Sequence, residues 1–229
     1  MRPFGSVGMV ISVFTAAFLF AFASPAVSSD NGLSLEETRS LDWLRAQIVP
    51  NALIPAPAPQ RRGLILSYAP GTQGPSPIHR KCFVYDAAVA SLAFGMAGDW
   101  SSASTLLQAL ARVQRSDGSF WFSYNVDDTW PEDGDHDMAI VRAGATAWVG
   151  YAFSFYLEKR PAGSDTRVMR ERTLFLTAAR HMADFLLNLQ ITGAGTTHGL
   201  IRGGQAFVKL QIDAIGSVTE VYDDSPVPW

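Results

Sequence analysis

At 229 residues the chain is long enough for one domain, or most of one. With 48% hydrophobic and 17% charged residues it is expected to fold around a packed core rather than stay disordered. A formal net charge of −3 without a basic stripe argues against a nucleic-acid partner, and the single cysteine, Cys82, excludes an internal disulfide.

The N-terminus reads as a targeting segment. Arg2 is followed by Met9 to Ala23, an apolar run of fifteen residues, shorter than the roughly 20 residues of a membrane span. Small residues then stand at Ala21-Phe22-Ala23 and Ala26-Val27-Ser28, two cleavage points of the expected kind. Residues 1–28 are therefore expected to be a signal peptide. The mature chain is expected in the periplasm or outside the cell, with no membrane association after cleavage. Residues 29–82 form an N-terminal helix and a Pro/Gly-rich segment, and residues 83–229 a domain of αα-hairpins.

From Ser34 to Gln47 the spacing predicts a helix. Ser34 and Glu37 have the separation of a capping box, Leu41, Leu44 and Ile48 recur on one face, and Pro50 stops the run. Residues 50–80 are too rich in Pro and Gly for regular helix, though "LILSY" suits an extended strand. Tyr85 to Ala97 is a small, apolar helix broken by Gly98-Asp99. Ser101 or Ser102 is expected to cap the next one, which runs to about Gln114 with Ala103, Leu106, Leu107, Leu110 and Val113 on one face. Met138 to Leu157 reads as the third helix after the Pro/Gly-rich segment, apolar almost all round and so expected to be buried on every side. Thr166 to Leu189 reads as a fourth, amphipathic one. The remainder is Gly- and turn-rich.

An inner apolar helix followed by an outer amphipathic one thus occurs twice. Ala103, Leu107, Leu110, Val113 and Gln114 fall opposite Ala179, Ala183, Leu186, Leu189 and Gln190 at a constant offset, the pattern of a helical-hairpin repeat. Such hairpins stack into a solenoid or close into a ring. The fold class expected is all-α.

"VYDAAVASLAFGMAGDWSSASTLLQALARVQRSDGSFWFSYN" resembles the repeated unit of six-hairpin, (α/α)6-toroid carbohydrate enzymes, and "VRAGATAWVGYAFSFYLE" looks like the next inner helix of one. The resemblance implies a toroid, incomplete in this chain because two hairpins and an entry helix cannot close a ring. Related toroids carry a Ser-Thr-Glu-His-Asn-type segment after the second hairpin, whereas here Thr219-Glu220 is followed by Val221-Tyr222. The resemblance further implies glycoside hydrolase-like chemistry by carboxylates, with no obligatory cofactor and with a poly- or oligosaccharide as partner.

Glycoside cleavage uses two carboxylates, and sugars are held by aromatic faces and by hydrogen-bonding side chains. "SFWFSYNVDDTWPEDGDHD", Ser119 to Asp137, combines six carboxylates with five aromatics and no Lys or Arg. Asp86 and Asp137 are the candidate catalytic pair, although each could instead cap the helix that follows it. Tyr85, Tyr124, Asp127, Asp128, Trp130, His136 and Trp148 are candidate saccharide contacts. Against these stand a solvated loop and, for Trp148, simple core packing. Asp127, Asp128, Asp133 and Asp135 lack EF-hand spacing, so no metal is assigned. Cys82 reads as a buried thiol. The alternatives to an enzyme are a non-catalytic glycan-binding or scaffold protein and a helical-repeat interaction module. The pattern sets no oligomeric state.

Overall fold

The computed structural model describes residues 32–68, 78–132, 140–161, 163, 165–205, 207–223 and 225–226. The chain divides into two units, Met1–Arg39 and Ser40–Trp229; all that follows beyond the first helix concerns the second. The expected signal peptide lies outside the described residues.

Helix α1 (Leu35–Ala46) begins with a reciprocal capping box. The Glu37 N–H donates to Ser34 Oγ at 3.1 Å and the Ser34 N–H to Glu37 Oε2 at 2.7 Å, so two backbone donors that no helical turn can satisfy are satisfied by side chains. The Ser34 backbone and hydroxyl hold the Glu37 carboxyl below its usual range. After α1, Ile48 bridges Ile65 in antiparallel fashion, and Leu64, Ile65 and Leu66 of the expected extended stretch are buried.

Strand β1 (Lys81–Phe83) runs straight into α2 (Val84–Met96), and a three-residue turn joins α2 to α3 (Trp100–Val113). Gly98 takes a φ of 78° in that turn, where a side chain would be strained. The cap of α3 is Asp99, not either serine: its carboxylate accepts the Ser102 N–H at 3.1 Å. Arg45 Nε also donates to Asp99 at 2.8 Å, tying α1 to this turn. Burial raises the Asp99 carboxyl, but hydrogen bonds from Ser102 and Arg45 outweigh it and hold the group below its ordinary range.

Strands β2 (Ser123–Asn125) and β3 (Val141–Arg142) precede α4 (Ala143–Lys159), which is followed by α5 (Thr166–Asn188), β4 (Gly204–Gln205), β5 (Phe207–Ile212) and β6 (Val218–Asp223). Helix α2 packs on α3 and on α4, and α5 packs on α4 and α3. The core between them is made by Val84, Ala87, Ala88 and Phe94 of α2, Leu106, Leu107 and Leu110 of α3, Val149, Phe153 and Tyr156 of α4, and Phe175, Met182 and Phe185 of α5. Alanines on α2 let α4 approach closely, and large aromatic and Met side chains fill the wider space toward α5.

The all-α expectation is overturned. Among the described residues three two-stranded antiparallel sheets, β1–β2, β3–β4 and β5–β6, accompany the five α-helices, so the fold is mixed helix and strand and not an all-α toroid. The register pairs Cys82 with Tyr124, Val141 with Gln205, and Leu210 with Glu220. The β5–β6 hairpin turns at Asp213, whose Oδ1 accepts the N–H groups of Ile215 and Ser217. The apolar-polar alternation Val208-Lys209-Leu210-Gln211-Ile212 is the strand signal passed over when the segment is read as turns.

Three narrower expectations also change. Helix α4 starts at Ala143, because the Ile140 carbonyl accepts the Phe122 N–H and the next two residues pair with β4. Nor is α4 buried on every side: Gly144, Ala147, Tyr151 and Ser154 form an exposed stripe. The buried stripe of α5, Ala178, Met182 and Phe185, lies one residue before the one the repeat offset predicts. Leu189 keeps the predicted place. No helix of the described residues is long and apolar enough to cross a membrane.

Candidate functional site

The N-terminal ends of α2 and α4 open onto one cleft of about 520 Å³, lined by Tyr68, Phe83, Tyr85, Asp86, Phe122, Arg142, Gly144, Ala145 and Gly203. That volume lies within the roughly 300–1,000 Å³ of small-ligand sites. Short backbone contacts from distant segments assemble it. The Phe83 N–H donates to Ser67 Oγ at 2.8 Å, the Val84 N–H to the Phe122 carbonyl at 3.2 Å, and the Ala143 N–H to the Gly203 carbonyl at 2.9 Å. Gly204 makes the last approach possible: at a φ of 152° a Cβ there would sit 2.0 Å from the Val141 carbonyl oxygen.

Aromatic rings form the walls. Tyr68 meets Phe83 edge-on at 6.0 Å, Phe83 meets Phe122 at 5.2 Å, and the Arg142 guanidinium lies 4.2 Å from the Phe122 ring centre. Beside them Tyr85 meets Trp148 edge-on at 5.6 Å, and Trp148 meets Tyr151 at 6.0 Å. Edge-to-face contacts fix ring orientation; Tyr68 is 39% exposed and Tyr85 42%.

Two charges of opposite sign complete the cleft. Asp86 is the third residue of α2, whose N-cap is Phe83 with no side-chain cap bond; Asp86 is therefore not a capping residue. Among the described residues neither Asp86 nor Arg142 has a hydrogen bond or ion pair, with each other or elsewhere. Cys82, immediately before Phe83, is fully buried, and burial pushes its thiol up to about 12. It is held as the neutral thiol, the form that is not nucleophilic.

Of the sequence candidates, Tyr85 and Asp86 line this cleft, and Trp148 supports it through Tyr85. Tyr124 does not reach it. Its side chain is 1% exposed, donates to the Val113 carbonyl at 2.7 Å and accepts the Trp121 N–H at 3.1 Å. Pairing with Cys82 across β1–β2 turned it inward, so the expectation of a substrate contact is corrected to one of packing. Asp127 is paired with Arg80 of a distant segment, whereas Asp128 shapes its own turn, accepting from Asn125 Nδ2 at 3.0 Å and from the Trp130 N–H at 2.8 Å. Trp130 packs under Lys81, whose Nζ is 4.7 Å from its ring centre. It lines a smaller cavity of about 180 Å³ that shares Phe83 and Phe122 with the main cleft. His136 and Asp137 lie outside the described residues, as do Asp133 and Asp135.

Sequence reasoning passed over Tyr68, Phe83, Phe122 and Arg142. Arg142 carried a usable signal, a lone cation between an apolar dipeptide and an apolar helix. The three rings carried none, since buried and cleft-lining aromatics look alike in a sequence. The chain matches no family model, and no curated protein is significantly similar to it.

Proposed function

We propose that this chain is an exported carbohydrate-active protein, glycoside hydrolase-like, that holds a poly- or oligosaccharide in the cleft at the N-terminal ends of α2 and α4. One observation carries the reading: Asp86, unpaired among the described residues, opens into a cleft walled by Tyr68, Phe83, Tyr85 and Phe122. Sugar rings present apolar C–H faces and a rim of hydroxyls. Aromatic rings take the faces, and a carboxylate accepts two hydroxyl hydrogen bonds, more strongly than a neutral acceptor would. In this reading Asp86 engages the hydroxyls next to the scissile bond and serves as one member of the acid/base pair, with Asp137 as the sequence candidate for the other. Export is supported by the Met9–Ala23 apolar run and the small residues after it.

A second reading is favoured by the cleft itself, where Asp86 is the one carboxylate among the described lining residues: the protein binds glycan without cleaving it. Incubation with mixed polysaccharides separates the two. Release of reducing ends that Asp86→Asn abolishes supports the hydrolase; binding without release supports the non-catalytic protein. Absence of any glycan affinity removes both. N-terminal sequencing of secreted protein should begin after Ala23 or Ser28, and an uncleaved Met1 would refute export by this route.

A further inference from the structure

Resting on the saccharide reading, we infer that the cleft selects an acidic sugar, with Arg142 as the specificity-determining residue that grips a uronate carboxylate. Arginine carries five N–H donors and a permanent charge. Several arginines of this fold use their donors internally: Arg45 binds Asp99, Arg61 binds the Thr129 and Pro131 carbonyls, Arg160 and Arg167 bind Glu171. Arg142 has no hydrogen bond or ion pair among the described residues, although a solvated arginine alone would be unremarkable.

What distinguishes Arg142 is that its guanidinium is positioned. It sits over the Phe122 ring, 4.2 Å from its centre, so the side chain is held against the aromatic wall of the cleft. Its backbone is held as well, by β3–β4 pairing with Gly204 and by the Ala143–Gly203 hydrogen bond. A stacked, pre-oriented guanidinium presents its fork edge outward, the geometry that receives a carboxylate through two parallel hydrogen bonds. Asp86 lines the same cleft. A carboxylate there disfavours a ligand that is anionic throughout and favours one with acid at one position and hydroxyl donors at another. A uronic acid residue has that arrangement: C6 carboxylate for Arg142, ring hydroxyls for Asp86, and an apolar face for the exposed rings of Tyr68 and Tyr85. A neutral hexose would leave the guanidinium without an acceptor, and a densely sulfated glycan would bring charge against Asp86.

The test measures binding of the full mature protein by calorimetry to α-linked oligogalacturonate and β-linked oligoglucuronate. Each is compared with its methyl ester, a neutral oligosaccharide of the same linkage and a sulfated neutral one. At least one acid form should bind about tenfold or more tightly than its ester, as a charge-assisted bidentate contact implies, and that advantage should shrink with added salt. Arg142→Gln should bring the acid-to-ester ratio to about one. Arg142→Lys, which keeps charge but loses the fork, should give an intermediate ratio and guards against a folding defect in the first variant. If esters or neutral oligosaccharides bind as tightly as the acids, or the ratio survives Arg142→Gln, this inference fails while the saccharide reading stands. Tighter binding of the sulfated oligosaccharide overturns the carboxylate assignment. If none of the probes binds, the saccharide reading fails and this inference with it.

Discussion

Arg142 and Arg160 flank the two ends of α4, immediately before Ala143 and immediately after Lys159, and the same side chain meets two opposite settings there. Each guanidinium packs on an aromatic ring, Phe122 at 4.2 Å for one and Tyr156 at 5.1 Å for the other. Arg160 then donates to Glu171 at 2.6 Å. Glu171 is 5% exposed and accepts three further donors: Tyr156 Oη at 2.9 Å, Arg167 Nε at 3.0 Å and Gln108 Nε2 at 3.1 Å. That cluster joins α3, α4 and α5 around one carboxylate with its lone pairs filled. About 25 Å away along the helix, Arg142 and Asp86 share a cleft and stay apart. Charge that is fully matched within the chain holds helices together; charge left unmatched beside open aromatic faces is available to a ligand.

The comparison breaks most visibly at its structural end. Glu171→Ala leaves the largely buried Arg160 without its partner and should lower unfolding stability by about 3 kcal/mol, as loss of one partner of a buried pair does; urea titration would read it. A variant as stable as the parent would show that the cluster is not structural.

Acid should act on the same group. Burial raises the Glu171 carboxyl, but the hydrogen bonds from Arg167 and Arg160 and the Arg160 charge outweigh it and hold the group below its ordinary range. A folded-state value below the unfolded one, about 4.3, means that the stabilisation is complete above that pH. It declines as pH falls below it and through the folded-state value. Denaturant midpoints measured from pH 6 down to pH 3 should therefore fall on the acid side, and the gap between the parent and Glu171→Ala should narrow there.

Smaller again is the helix-cap effect. Asp99→Ala removes the α3 cap and the Arg45 contact, and should cost about 1 kcal/mol with little change in glycan affinity. At the functional end Asp86→Asn should alter stability by less than about 0.5 kcal/mol, since no described group depends on Asp86, yet abolish turnover of any hydrolysed glycan. A large stability loss would recast Asp86 as a structural residue and remove the contrast with Glu171.

The helices were legible because their evidence is local. Ser34 and Glu37 stand three residues apart and satisfy one another, and the apolar positions of α3 fall on one face. The strands were not: β3 and β4 have two residues each and β1 and β2 three, too short for alternation to register, and the six-residue β5 and β6 were hidden in a segment read as turns. That blind spot produced the all-α expectation and set the start of α4 too early. Within Ser119–Asp137, Tyr124 is turned into the core and Phe122, two residues earlier, lines the cleft, a difference that residue type does not reveal.

The amino-acid sequence by itself determined that five helices follow one another, which face of α3 is buried, and that Asp86 lies in the first turn of α2. These follow from relations three or four residues apart. The tertiary structure alone decided that Asp86 and Arg142, fifty-six positions apart, open into one aromatic cleft without meeting, while Glu171 gathers four donors. Whether a charge is matched depends on what the folded backbone brings within about 3 Å, and no spacing along the chain encodes that distance.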